Sequence, residues 1–330
     1  CEGVIAFAEK ISAEAGRLAE TEAEPGRRDE LREIERICAK VPLRPAETFH
    51  EAVQSLWLAH MGVCLESINS AVSFGRVDQY LYPYYRADLE AGRISPERAR
   101  ELLLCFSAKA TEHVFLLSER TSEYHGGYLV AQAAIVGGMD ENGDDAVNDL
   151  TYILLDVMEQ SGLRDPNYQA RIHPGSPEGY VARAIDVSRK GNGVPALFND
   201  EASISAMLRH GYPLAEARNY GVVGCVELAL PGKSFLSTDA ALFNLPVCLE
   251  LALNGGRRIR GGGRIGASTP PPDTFTRIED VISAFRVQVD AMVDRFVNDI
   301  QIIERGNRDH HPPPFSSMLV DGCIESGRDT

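Results

Sequence analysis

Long amphipathic segments separated by short apolar runs predict an α/β chain. Residues 3–21, 27–40, 96–118, 147–160 and 275–303 repeat apolar side chains at helical spacing. The strand-like runs within 131–138, 168–173 and 191–200 are short, and turn residues border them. Helices alternating with isolated strands are the signature of an α/β architecture. The 330 residues are 44% hydrophobic and 25% charged, a globular composition able to bury a substantial core.

The net charge of −15 argues against a nucleic-acid or anionic-membrane partner, because little would offset phosphate repulsion. No apolar run reaches the roughly 18 residues of a spanning helix. The first ten residues lack the charged-then-apolar layout of a secretory leader, so a soluble cytoplasmic protein is expected. Seven cysteines without a C-x-x-C pair argue against zinc and against a disulfide framework. Cys38, Cys64, Cys105 and Cys248 fall in apolar helical patterns and are expected in the core.

In chain order, two charged helices are broken at Glu24-Pro25-Gly26. A third follows Pro45 and Glu47, with Val53, Leu56, Trp57 and Met61 on one face and His50 and His60 as hydrogen-bonded packing residues. Arg76 and Asp78 follow Gly75 in a dense loop. Either an internal ion pair ties this loop down, or it lines a pocket. Ser95 and Pro96 open the next helix. The acidic run 139–145 lacks the calcium-loop spacing and is expected to be a solvated turn. Residues 242–253 read as a helix ending at Asn254-Gly255-Gly256. The basic segment 257–272 reads as a surface loop, and the His310-His311 pair is discounted as a metal site because adjacent side chains point apart.

The chemistry concentrates in 219–246. Cys225 lies two residues before Glu227, Gly221 and Gly224 precede it, and Pro231 and Gly232 follow. If 224–228 is extended, the Cys225 thiol and the Glu227 carboxylate face one cavity. The glycines permit turns and leave room for a substrate.

At Gly224-Cys225-Val226-Glu227 the chain resembles the glycyl radical enzyme superfamily, which includes pyruvate formate-lyase and the diol, choline and hydroxyproline lyases. Further landmarks in family order are Phe49-His50-Glu51-Ala52, Ser73-x-Gly75-Arg76-x-Asp78-Gln79-Tyr80, Gly191-x-Gly193-x-Pro195-Ala196, Asn199-Asp200-Glu201 and Ala217-Arg218-Asn219-Tyr220. Asp239-Ala240-Ala241-x-Phe243-Asn244 and Gly322-Cys323-Ile324-Glu325 complete the set.

The resemblance implies that residues 1–330 are part of a ten-stranded α/β barrel, two antiparallel half-barrels of five strands surrounded by helices. It implies that the Cys225 thiol becomes a thiyl radical that abstracts hydrogen from substrate, inside a barrel that shields it. It casts Glu227 as general base, Asp239 and Thr238 as substrate contacts, and Asn69, Ser70, Ala71 and Val72 as a substrate loop. Ala71 or Val72 stands where the diol-dehydratase pattern has a histidine, and Leu228 replaces the proline common after C-V-E. Gly224 replaces the first of two adjacent cysteines in pyruvate formate-lyase, which favours a dehydratase-like C–O or other C–X lyase over a formate C-acetyltransferase. An inactive homologue or fragment is the remaining alternative.

The family's R-V-x-G-Y radical site is not in this sequence. The chain, which opens on Cys1, is therefore expected to be the thiol-bearing piece of a longer protein. The implied partners are a small polar substrate, an activating enzyme using S-adenosylmethionine and an iron–sulfur cluster, and a second copy in a homodimer. No cofactor or metal is expected to bind this chain directly.

Overall fold

A computed structural model describes residues 1–66, 71–113, 118–124, 131–191, 193–234 and 242–330. The chain divides into two compact units, Cys1–Leu236 with Pro313–Thr330, and Ser237–Pro312.

The first unit is built on a parallel sheet in the order β1 (Ala133–Gly137), β2 (Asn167–Ile172), β3 (Ala196–Asn199). Each step between neighbours is a crossover through a helix, Asp149–Ser161 after β1 and Glu178–Ser188 after β2. Asn148 starts the first of these helices with a capping box, its side chain taking the amides of Leu150 and Thr151. Register is fixed at Ile135↔Gln169 and Gly137↔Arg171, and at Gln169↔Ala196. Gly75 adds an isolated parallel bridge to Ala134.

Alternation along the strands divides the sheet into two faces. Ala134, Val136, Tyr168 and Ala170 join the main core with Leu150, Leu154, Met158, Tyr180 and Ala184 from the crossover helices. Ile135 belongs to a second cluster on the opposite face with Tyr220, Val222 and Leu230. On that face β2 carries Asn167, Gln169 and Arg171, and the last two are fully buried. Buried polar side chains need partners, so this face dictates what packs on it.

Arg171 shows how. It pairs with Asp200 through two bonds of 2.8 and 2.9 Å, and donates to the carbonyls of Tyr220 (3.0 Å) and Arg218 (2.7 Å). Its guanidinium lies 3.9 Å above the Tyr220 ring, and Tyr220 Oη donates to Asp200 at 2.8 Å. Residues 218–220 are thereby fixed where they enter the next element.

The helix Phe49–Glu66 carries His60, whose Nε2 donates to Gln132 Oε1 at 2.6 Å while its ring stacks on Phe74 at 4.0 Å. The expected packing role is what it has. His50 lies 3.1 Å from Glu33. Cys38, Cys64 and Cys248 are buried as expected, but Cys105 is exposed: its position on the helix Pro96–Glu112 falls on the solvent side. The 139–145 run is a turn in which Asp140 Oδ1 accepts the amides of Asn142, Gly143 and Asp144.

In the second unit the helix Leu245–Ala252 packs on the helix Ile278–His310, with the Phe243 and Phe296 rings edge-on at 5.7 Å. Asp280 caps the long helix by accepting the amides of Thr276 and Arg277. Gln288 pins the preceding loop through Ala267 O at 2.8 Å. The 257–264 segment is an exposed loop closed by an Arg257–Arg264 bridge. His310 and His311 are both exposed.

The architecture is mixed α/β. Among the described residues the sheets are this three-stranded one and an antiparallel pair, and they form no closed barrel. No described helix is long and apolar enough to cross a membrane.

Two tests follow from these contacts. Asp200→Ala leaves the Arg171 guanidinium buried without its counter-charge and is expected to cost about 3–5 kcal/mol in denaturant unfolding. Burial holds the His60 imidazole at about 4, against 6.5 when unperturbed. The unfolded chain therefore binds the extra proton first. The contribution of His60 is intact above pH 6.5 and drains as pH falls towards 4, with a limiting slope of roughly 1.4 kcal/mol per pH unit. In a His60→Gln variant the unfolding free energy should lose this part of its slope between pH 6.5 and 4.

Candidate functional site

Cys225 sits at the tip of an antiparallel hairpin, β4 (Gly221–Val223) paired with β5 (Glu227–Ala229). Gly224, Cys225 and Val226 form the turn. The extended path expected over 224–228 is therefore interrupted. Gly224 has φ +61°, a left-handed conformation that reverses the chain there, and the strand resumes only at Glu227. The carboxylate reaches the cysteine through its backbone instead. Glu227 Oε2 folds back over the turn and accepts the backbone amides of Cys225 (3.1 Å) and Val226 (3.0 Å). Cys225 and Val226 are exposed, so the shielding expected for the thiol is not provided by these residues.

Three side chains from outside the hairpin hold the turn. Ser73 Oγ accepts the Gly224 amide at 3.1 Å and the Ala133 amide of β1 at 3.0 Å, and donates to Ala71 O at 2.9 Å. Asn167 Nδ2 donates to Gly224 O at 2.9 Å. Gln169 Nε2 reaches Gly224 O at 3.3 Å and Cys225 O at 2.9 Å. Close packing at the hairpin base adds to this. A Cβ on Gly221 would lie 2.9 Å from Pro231 Cγ.

Arg76 and Asp78 do not bond to each other among the described contacts. They grip Gly137 from both sides, Arg76 Nη2 donating to its carbonyl at 3.1 Å and Asp78 Oδ2 accepting its amide at 2.7 Å. Arg76 Nη1 also donates to Asn219 Oδ1 at 2.8 Å, just ahead of β4. Burial, with Arg171 nearby, lowers the Arg76 guanidinium to about 10, while burial raises the Asp78 carboxyl. The loop is tied down, and it also lines a space. A cavity of about 250 Å³ is bounded by Ala71, Val72, Phe74 and Gly75 on one side and by Val223, Leu230 and Leu319 on others.

Of the residues singled out from the sequence, Cys225 and Glu227 share the end of the hairpin, and Ala71 and Val72 line the cavity beside it. Neither Cys225 nor Glu227 lines that cavity. Asn69, Ser70, Thr238 and Asp239 lie outside the described residues, as do Ala240 and Ala241. Sequence reading missed Asn167 and Gln169. The signal was present as polar residues at every second position of a strand, N-x-Q-x-R over 167–171. Among the described residues no three His, Cys, Asp or Glu side chains cluster to hold a metal.

The family model for pyruvate formate lyase-like proteins matches residues 1–330. This chain belongs to that family. A solved glycyl radical enzyme from Archaeoglobus fulgidus superposes with a TM-score of 0.95 at 39% identity, covering 99% of this chain and 42% of that one. A structure concerned with 1,2-propanediol dehydration in Roseburia inulinivorans gives 0.96 at 36% identity over 100% of this chain and 41% of that one. Trans-4-hydroxy-L-proline dehydratase of Clostridioides difficile is 34% identical over 335 aligned positions, covering 100% of this chain and 42% of that protein. The chain thus spans about two-fifths of the length of these glycyl radical relatives.

A side chain at position 224 would meet Glu227 Oε2 at 3.1 Å and Ala71 Cβ at 3.2 Å, in a left-handed backbone. Gly224→Ala is expected to destabilise the fold by about 1–2 kcal/mol, read as a lowered unfolding midpoint.

Proposed function

We propose that this chain carries the thiol half of the active site of a glycyl radical lyase, dehydratase-like, acting on a small polar substrate with a hydroxyl beside a leaving group. The observation that carries the reading is the Cys225–Glu227 turn, in which the base is bonded to the cysteine's own backbone. The dehydratases among the relatives support elimination as the reaction class. Gly224 supports it too, since a left-handed residue with 3.1–3.2 Å clearances disfavours a cysteine there, where an acetyltransferase has the first of its pair.

In this reading β1–β3 are one portion of the ten-stranded barrel. The rest of the barrel closes over the exposed Cys225 in the complete protein and excludes water and oxygen. The glycyl radical, installed by an S-adenosylmethionine and iron–sulfur activating enzyme, supplies the hydrogen-atom acceptor for the Cys225 thiol. Cys225 Sγ then takes a hydrogen atom from the substrate carbon that bears the hydroxyl. Glu227 accepts the hydroxyl proton, and its Oε1 suits this role because Oε2 already holds two amides. The neighbouring C–O or other C–X bond breaks, and Cys225 returns the hydrogen atom to the product radical. Ala71 and Val72 border the substrate, with Asn69, Ser70, Thr238 and Asp239 as its polar contacts. The complete enzyme is a homodimer in the cytoplasm.

The test is turnover of the anaerobically activated enzyme. Cys225→Ala should abolish it while the glycyl radical signal persists in electron paramagnetic resonance. Glu227→Gln should lower kcat by about 10²- to 10⁴-fold, the range of general-base contributions. Full turnover in Cys225→Ala sinks the thiyl assignment, and full turnover in Glu227→Gln sinks the base.

A further inference from the structure

We infer that Gln169 is the positioning residue for the Cys225 thiol, with Asn167 as its auxiliary; this rests on the reading of Cys225 as the hydrogen-abstracting group. Within the hairpin, Glu227 Oε2 holds the amides of Cys225 and Val226. Here the peptide groups flanking Cys225 are held from the sheet below. Gln169 Nε2 bonds both the Gly224 and the Cys225 carbonyl, and Asn167 Nδ2 bonds the Gly224 carbonyl again.

Gln169 is suited to this by its place. It is fully buried in β2, in register between Ile135 and Ala196, so its backbone is held from both sides. Its amide orientation follows from its partners. Two carbonyl oxygens require the NH₂ group, and the opposite orientation would set three oxygens against each other. Gln169 Oε1 is buried and has no hydrogen-bond partner among the described residues.

Hydrogen-atom abstraction depends steeply on the placement of the sulfur. Displacement of a reacting group by about 1 Å can cost about 10²-fold in rate. The Cys225 carbonyl belongs to the residue that carries the thiol, so the Gln169 bond sets the orientation of that residue directly. Ser73 completes the hold from the other side through the Gly224 amide.

The decisive variant is Gln169→Met, which keeps the volume and removes the donor. Asn167→Ala, at a half-buried position, is the second variant in case the first fails to fold. In the activated enzyme, Gln169→Met should lower kcat at least tenfold with KM within twofold, leave the glycyl radical yield unchanged, and raise the deuterium isotope effect from labelled substrate. In the 330-residue chain alone, hydrogen exchange at 224–226 should rise at least tenfold while the helix Asp149–Ser161 exchanges as before. Asn167→Ala should move the same observables in the same direction by a smaller factor. Unchanged exchange at the turn, or a kcat within twofold of the parent, in the folded variant overturns the positioning role. Cys225→Ala, assayed in parallel, separates the two claims. If it still turns over, the reading of Cys225 fails. If it is dead while Gln169→Met is fully active, only the role of Gln169 fails.

Discussion

The first unit depends on a row of polar side chains on one face of a buried strand. Asn167, Gln169 and Arg171 point away from the helix-packed core, towards a region where water is excluded from the last two. Leaving such groups unpaired costs more than most single contacts contribute. The chain satisfies their N–H donors with backbone: the carbonyls of Arg218 and Tyr220 on Arg171, and those of Gly224 and Cys225 on Asn167 and Gln169. One strand thereby dictates the path of a segment that begins about 50 residues later. The hairpin lies where these donors need acceptors.

This division of labour explains why the hairpin can be short. β4 and β5 have three residues each, and an isolated two-stranded pair of that size is not stable in water. Its apolar residues Val222 and Leu230 bury against Ile135. Its polar backbone is taken up by β2 and Ser73. The tip can then present a thiol and a carboxylate in a conformation the local sequence alone would not hold.

The sequence revealed the α/β alternation well, because helical spacing over 96–112 or 149–161 is long enough to be unambiguous. β1 and β2 were anticipated within two residues, and β3 only as a short strand somewhere within 191–200. The closeness of Cys225 and Glu227 was legible, but the local geometry was not. Period-two reasoning assumes a continuous strand, and the left-handed Gly224 breaks it where the reasoning was applied. The partners of Cys225 were not legible at all. Gln169 lies 56 residues away in sequence, and only the register of a parallel sheet brings it beneath the turn. Cys105 was misjudged for a simpler reason: a cysteine at the margin of a helix's apolar stripe can fall on either side of it.

The Ser73–Gly224 bond joins residues separated by 151 positions, and the Arg76–Asn219 bond spans 143. Contacts between such distant parts of a chain close large loops, and they form after the local helices have done so. The sulfur-bearing turn is consequently among the last pieces of the first unit to take shape on the folding path. On a ribosome the order is the same, since the loop and the sheet that hold the turn are synthesised before it. The loop and the strands that hold the turn precede Cys225 on the chain, so the turn and the buried polar row of β2 complete each other in one late step.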